Sequence, residues 1–130
     1  MDVVAWALRA VLALVFIGMG VTHFIPSVRR TMRAMIPPRL AAHRALLVAL
    51  TGVCEIVGGV GIVLPWHLVG AEWMRWLVGI LLVAFLVAVF PANAYAAKHP
   101  ERFGRAAFPF WPRLIAQIVL IAAVVLAVVL

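Results

Sequence analysis

The sequence predicts an all-α membrane protein: a four-transmembrane-helix bundle with a short interfacial amphipathic helix between the first two spans. Three observations carry this. Of the 130 residues, 68% are hydrophobic and only 12% charged, with a mean hydropathy of +1.21. A soluble domain is nearer half apolar and a quarter charged. Four apolar runs, Val3–Phe24, Ala45–Leu64, Leu77–Tyr95 and Leu114–Leu130, each approach the ~20 residues that cross a bilayer. Finally, the positive charge is confined to particular connections. Nine of the eleven Lys and Arg fall in residues 25–44 (Arg29, Arg30, Arg33, Arg39, Arg44) and 96–113 (Lys98, Arg102, Arg105, Arg113), against only Arg9 and Arg75 elsewhere. In short loops this asymmetry places both basic connections in the cytoplasm and both termini outside. The net charge of +7 therefore marks topology, with anionic lipid as its partner and no nucleic acid. Residues 1–130 are predicted to form a single transmembrane domain.

The first span opens with Asp2, Trp6 and Arg9, the last able to snorkel back toward the N-terminal face. A cleaved signal peptide is not expected, because the n-region is acidic, the run is too long and no small-residue cleavage site follows. Gly18 and Gly20 near its far end permit close helix approach, and His23 arrives at the edge of the basic loop. Pro26–Ile36 then carries Val28, Met32, Met35 and Ile36 on one side and Arg29, Arg30 and Arg33 on the other. That spacing predicts a helix lying in the interface, arginines toward lipid headgroups, ended by Pro37-Pro38.

The second span holds one charge, Glu55, near its middle, with Gly58, Gly59 and Gly61 thinning the far half for helix packing. A carboxylate at a span centre costs about 2.5 to 3.5 kcal/mol on insertion scales, so it is expected to face the bundle interior. Cys54, the single cysteine, excludes an internal disulfide and reads as small packing filler. Trp66, Trp73 and Trp76 in the next connection join Trp6 as an interfacial aromatic belt.

In the third span Ala84, Ala88 and Ala92 form a small-residue stripe for packing within the bundle or between subunits, and Pro91 is expected to bend the helix before Asn93. Residues 96–113, with Phe103, Phe108, Phe110 and Trp111 among prolines, read as an interfacial loop. The last span, featureless apart from Gln117, completes the bundle and borrows length from Trp111 or thins the bilayer.

Topology brings His23 and Asn93 to the cytoplasmic face. Glu55, about 16 Å below Arg44 at 1.5 Å per residue, is expected near mid-membrane rather than beside them, with Thr51 one turn above it on the same helix face. A polar track Asn93/His23–Thr51–Glu55 is therefore the candidate intramembrane site. It reads either as a proton-accepting pocket for a quinone-like apolar ligand, or as hydrogen bonds that fix bundle register. No catalytic residue is assigned. Haem and metal are disfavoured for want of histidine pairs in the span interiors and of clustered ligands.

Gly20-x-x-His23-Phe24, Met35-Ile36-Pro37-Pro38, Thr51-Gly52-x-x-Glu55-Ile56-x-Gly58-Gly59 and Val89-Phe90-Pro91-Ala92-Asn93 stand together in an order and spacing that resemble the DoxX-like membrane proteins. The resemblance runs through three of the four spans. It implies a four-helix bundle in a bacterial or archaeal cell membrane. It also implies a link to redox complexes, since the founding member is the small subunit of a thiosulfate:quinone oxidoreductase and some relatives are linked to oxidative-stress complexes. With no cofactor or thiosulfate-handling domain within the chain, the expectation is an accessory or anchoring subunit beside an oxidoreductase partner, not an enzyme alone. The alternatives left open are a small homo-oligomeric carrier and an assembly factor without redox activity.

Overall fold

The computed structural model describes residues 2–103 and 109–130, the side chains of Pro100 and Phe103 excepted. Arg105 and Phe108, read above as part of the basic aromatic connection, lie outside the described residues, as does the ring of Phe103. The described chain is helical nearly throughout. The helices are α1 (Val3–Thr22), α2 (Pro26–Met35), α3 (Arg44–Val63), α4 (Trp73–Lys98), α5 (Pro100–Phe103) and α6 (Phe110–Val129), with 3₁₀ turns at Pro38–His43 and Trp66–Val69. α1, α3, α4 and α6 are long and apolar enough to cross a membrane, so the chain is a multi-pass integral membrane protein.

These four pack as a ring in which α1 meets α3, α3 meets α4, α4 meets α6 and α6 returns to α1. Each reverses direction from its neighbour, so the connections carrying α2 and α5 share one end, here called the basic end. The core is a compact knot of Leu12, Ala13 and Phe16 from α1, Ile62 from α3, Leu82 and Leu86 from α4, and Val124 and Ala127 from α6. Outside this knot the helices present aliphatic side chains such as Leu14, Val57, Ile80 and Ile118 outward. Soluble monomers rarely leave so much contiguous apolar surface exposed, and hydrocarbon is its natural solvent.

Asp2 starts α1 as its N-cap, its Oδ1 accepting from the amides of Val4 at 2.9 Å and Ala5 at 3.4 Å. At the same end of the bundle, two side chains cap helix C-termini. The Trp66 indole donates to Gly61 O at 2.8 Å, and Arg9 Nε donates to Ala127 O at 2.9 Å. Both carbonyls lie in last turns, where no intrahelical donor remains for them.

Several boundaries differ from the sequence reading. α4 runs through Pro91 to Lys98, and Trp73 and Trp76 belong to its first turn instead of the preceding connection. The stretch read as an interfacial loop is helical at both sides: α5 follows α4 after a single residue, and α6 begins at Phe110. That early start gives α6 its 20 residues, so it needs no thinned bilayer. α2 forms as predicted, with Ile36 closing it, and it packs against α3 and α4 as well as facing outward.

The tightest contact is α1 on α3. A Cβ on Gly20 would stand 2.7 Å from Gly52 O, and one on Gly52 would stand 2.7 Å from the Cβ of His23. Only glycine at both positions allows the backbones this close. Gly59 likewise faces Ala13 and Ile17 of α1, while Gly58 meets Leu82 of α4. Gly18 does not pack: nothing lies within 4 Å of where its Cβ would be. Ala84 and Ala88 face outward, with Ala92 half-buried, so that stripe does not hold this bundle together. Cys54 is exposed on the outer face of α3 and is not core filler.

Candidate functional site

The α1–α3 register decides where the polar residues meet. Gly52 lies against His23 and Phe24, and Gly59 against Ala13 and Ile17. The last turn of α1 therefore stands beside the third turn of α3, not its first. With Gly52 eight positions after Arg44, His23 lies about 12 Å along α3 from its start at 1.5 Å per residue. The expectation that His23 stays at the membrane face while Glu55 lies apart from it is corrected accordingly. His23 Nε2 is 2.9 Å from Glu55 Oε2.

Glu55 is 4% exposed and sits on the α3 face that carries Gly52 and Gly59 toward α1. Apart from the contact with His23, its Oε2 has no hydrogen-bond donor among the described residues. The other ring nitrogen of His23, Nδ1, is 2.9 Å from Val48 O and 3.2 Å from Thr51 Oγ1. A carbonyl can only accept, so Nδ1 carries a proton and donates it to Val48. Thr51 in turn donates to its own helix, to Leu47 O at 2.8 Å or Val48 O at 3.0 Å, leaving its oxygen to accept from Nδ1.

This arrangement fixes the tautomer. With Nδ1 protonated, Nε2 points its lone pair or its N–H⁺ at the carboxyl. One proton at the Nε2–Oε2 contact makes the pair net neutral, whether as imidazole with carboxylic acid or as imidazolium with carboxylate. A net-neutral pair is what a low-dielectric interior tolerates, because an isolated charge there is costly while a paired, hydrogen-bonded one is compensated. A His–carboxyl pair whose proton moves between two atoms is also suited to exchanging a proton with a polar group brought against it.

Asn93 does not join this cluster. Its Oδ1 accepts from Arg113 Nη1 at 2.8 Å, tying α4 to the first turn of α6. Next to it, Phe90 and Phe110 pack edge to face at 5.8 Å, closing the same helix pair. The sequence reading missed this because Arg113, assigned to a loop, is the fourth residue of a helix that begins at Phe110. The candidate site thus consists of His23, Thr51 and Glu55, held by the Val48 carbonyl. Among the arginines read as headgroup contacts, Arg30 is exposed while Arg29 and Arg33 are half-buried. Among the described residues no group of three or more His, Cys, Asp or Glu gathers as a metal site.

Arg9 turns back toward the N-terminal face, the end of the bundle opposite α2, as its snorkelling reach implies, but it is buried there, 5% exposed, with its guanidinium 5.2 Å from the Trp6 ring centre. The signal available in the sequence was its position one turn after a tryptophan inside a span, but nothing local indicated that α6 would offer it a carbonyl.

No match is found among curated proteins or among solved structures. A family model described as Domain of unknown function (DUF8561) matches residues 12–128, from the middle of α1 to the end of α6. That span takes in the His23–Glu55 pair and all of α3 and α4, and the chain belongs to this family of unknown function.

Proposed function

We propose that the protein is an accessory, anchoring subunit of a membrane redox complex, and that His23 and Glu55 bind the polar head of a quinone-class ligand. The observation that carries this reading is the buried pair itself, with His23 Nε2 2.9 Å from Glu55 Oε2 and Nδ1 held by Val48. Reduction of a quinone carbonyl takes up a proton at its oxygen and oxidation of the hydroquinone hydroxyl gives one up; the pair exchanges that proton at the second and third turns of α3, while the oxidoreductase partner supplies or removes the electrons. The similarity of the Gly20-x-x-His23-Phe24 and Thr51-Gly52-x-x-Glu55 motifs to DoxX-like proteins supports the same assignment. The exposed cations of the basic connections, Arg30, Arg39 and Lys98 among them, provide a surface for an oxidoreductase partner and for anionic lipid. In this reading the basic end is cytoplasmic, in a bacterial or archaeal cell membrane.

The test is gentle extraction of the tagged protein from its native membrane, with mass spectrometry of proteins and extractable quinones, for wild type and Glu55→Gln. The reading expects a co-purifying oxidoreductase and a fall of about tenfold in retained quinone, the loss of one good hydrogen bond to a charged group. Equal quinone retention and equal quinone-linked turnover in the variant would contradict it.

A second reading rests on the outward position of Ala84 and Ala88 on α4. Small residues facing lipid allow a second copy to approach, as a homo-oligomeric carrier would require. Subunit counting in lipid nanodiscs distinguishes the two, a strict monomer eliminating the carrier.

A further inference from the structure

The end of the bundle opposite α2 contains a recess of about 280 Å³, lined by Asp2, Trp6, Arg9, His67, Glu72 and Arg75. It brings together Arg9 and Arg75, the two arginines outside the basic connections. Arg9 is 5% exposed, and its sole hydrogen bond among the described residues is the one from Nε to Ala127 O. That leaves the terminal nitrogens of its guanidinium, four N–H donors, without an acceptor among the described residues. Arg75 makes no hydrogen bond or ion pair with a described side chain, and its Nε is buried without a partner. Asp2 and Glu72 share the recess, yet neither comes within ion-pair distance of either arginine. Asp2 is already spent on the amides of Val4 and Ala5.

Buried charges are ordinarily paired, and a guanidinium with free donors is matched by a planar or tetrahedral oxyanion. Asp2 and Glu72 balance the charge of the two arginines across the recess but bond to neither, so the guanidinium donors of buried Arg9 and half-buried Arg75 stay open to an oxyanion. The walls fit an amphiphile: Trp6 stacks over Arg9 and edges onto His67 at 6.2 Å between ring centres, and Trp66 lines the adjoining part of the cleft. Tryptophans at this level mark the headgroup zone of the leaflet.

We infer that this recess binds a phosphate group through Arg9 and Arg75. The phosphate is supplied by a phospholipid headgroup or by free phosphate, and the site lies at the opposite end of the bundle from the His23–Glu55 pair. Arg75 and the terminal nitrogens of Arg9 take the oxygens, while the Arg9 Nε bond to Ala127 holds that guanidinium in place. The site is independent of the redox reading, since it shares no residue with it.

The experiment uses the full chain in detergent, with native mass spectrometry titrated with phosphatidylethanolamine, phosphatidylglycerol, diacylglycerol or inorganic phosphate. Arg9→Gln also removes the cap on α6 and can impair folding, so Arg75→Gln is the principal variant and Arg30→Gln, exposed at the basic end, is the control. Phospholipid binding at least tenfold above diacylglycerol, reduced about tenfold by Arg75→Gln and unchanged by Arg30→Gln, supports a headgroup site. Binding of inorganic phosphate with the same variant pattern, and no phospholipid preference, supports the same site with free phosphate as its ligand. No phosphate-dependent binding, equal binding in Arg75→Gln, or an equal loss in Arg30→Gln overturns the inference.

Discussion

Gly52→Ala tests the geometry on which the candidate site depends. The added Cβ would stand 2.7 Å from His23 Cβ, 2.9 Å from Phe24 Cε2 and 3.1 Å from Gly20 O. Carbon atoms in ordinary contact sit about 3.5 to 4.0 Å apart, so relief requires about 1 Å of separation between α1 and α3. Neither neighbour can yield alone, because one contact is to a Cβ and another to backbone. Overpacking of this kind costs about 1 to 3 kcal/mol, against a gain of at most about 1 kcal/mol from replacing a helical glycine with alanine. The net expectation is a loss of about 1 to 2 kcal/mol and a lengthened His23–Glu55 contact. Gly18→Ala is the matched control, since its Cβ meets nothing within 4 Å and only the helix-propensity gain applies. Stability is read by denaturant titration in mild detergent, following helix content. Equal stability of Gly52→Ala and wild type, or equal loss in both variants, would refute the α1–α3 register.

Other expectations follow from the same contacts. His23→Leu alone leaves the Glu55 carboxyl buried without its partner and is expected to cost about 3 kcal/mol, whereas adding Glu55→Leu restores most of it; a double-mutant cycle reads the coupling. Asn93→Ala removes the Arg113 Nη1–Asn93 Oδ1 bond and is expected to destabilise the α4–α6 contact by about 0.6 to 1.5 kcal/mol without altering the His23 environment, as thermal unfolding and histidine NMR would show. Cys54→Ala, on the lipid-facing side of α3, is expected to change stability by less than about 0.5 kcal/mol; a larger loss would show that the thiol packs inside an interface.

The parts of this structure legible in the sequence are those set by solvent partition. Hydropathy located all four spans, and the placement of nine cationic residues separated the two ends. The 3.6-residue spacing of Val28, Met32 and Met35 against Arg29 and Arg33 marked α2. The carboxylate at position 55 was recognisable as a group that must face inward, because its cost in lipid is independent of the fold. Registers were not legible. How far α1 slides along α3 is set by the close approach at Gly20 and Gly52, a property of two helices together. Sequence distance from Arg44 gives the height of Glu55 along α3, but it left His23 level with the start of that helix instead of beside Gly52. Asn93 was drawn away by Arg113, a partner 20 residues on that becomes available only because α6 starts at Phe110. The same holds for Arg9, whose anchor, Ala127, lies 118 residues later in the chain.

The central claim is that His23 and Glu55 share a proton inside the bundle, and ¹⁵N NMR of histidine-labelled protein in lipid bilayers addresses it most directly. Wild type is expected to show His23 with Nδ1 protonated and hydrogen-bonded, and Nε2 responding to a neighbouring carboxyl, so that Glu55→Gln shifts Nε2 while Nδ1 keeps its bond to Val48. A His23 signal that is identical in wild type and Glu55→Gln, or one protonated only at Nε2, would contradict the pairing and the function built on it.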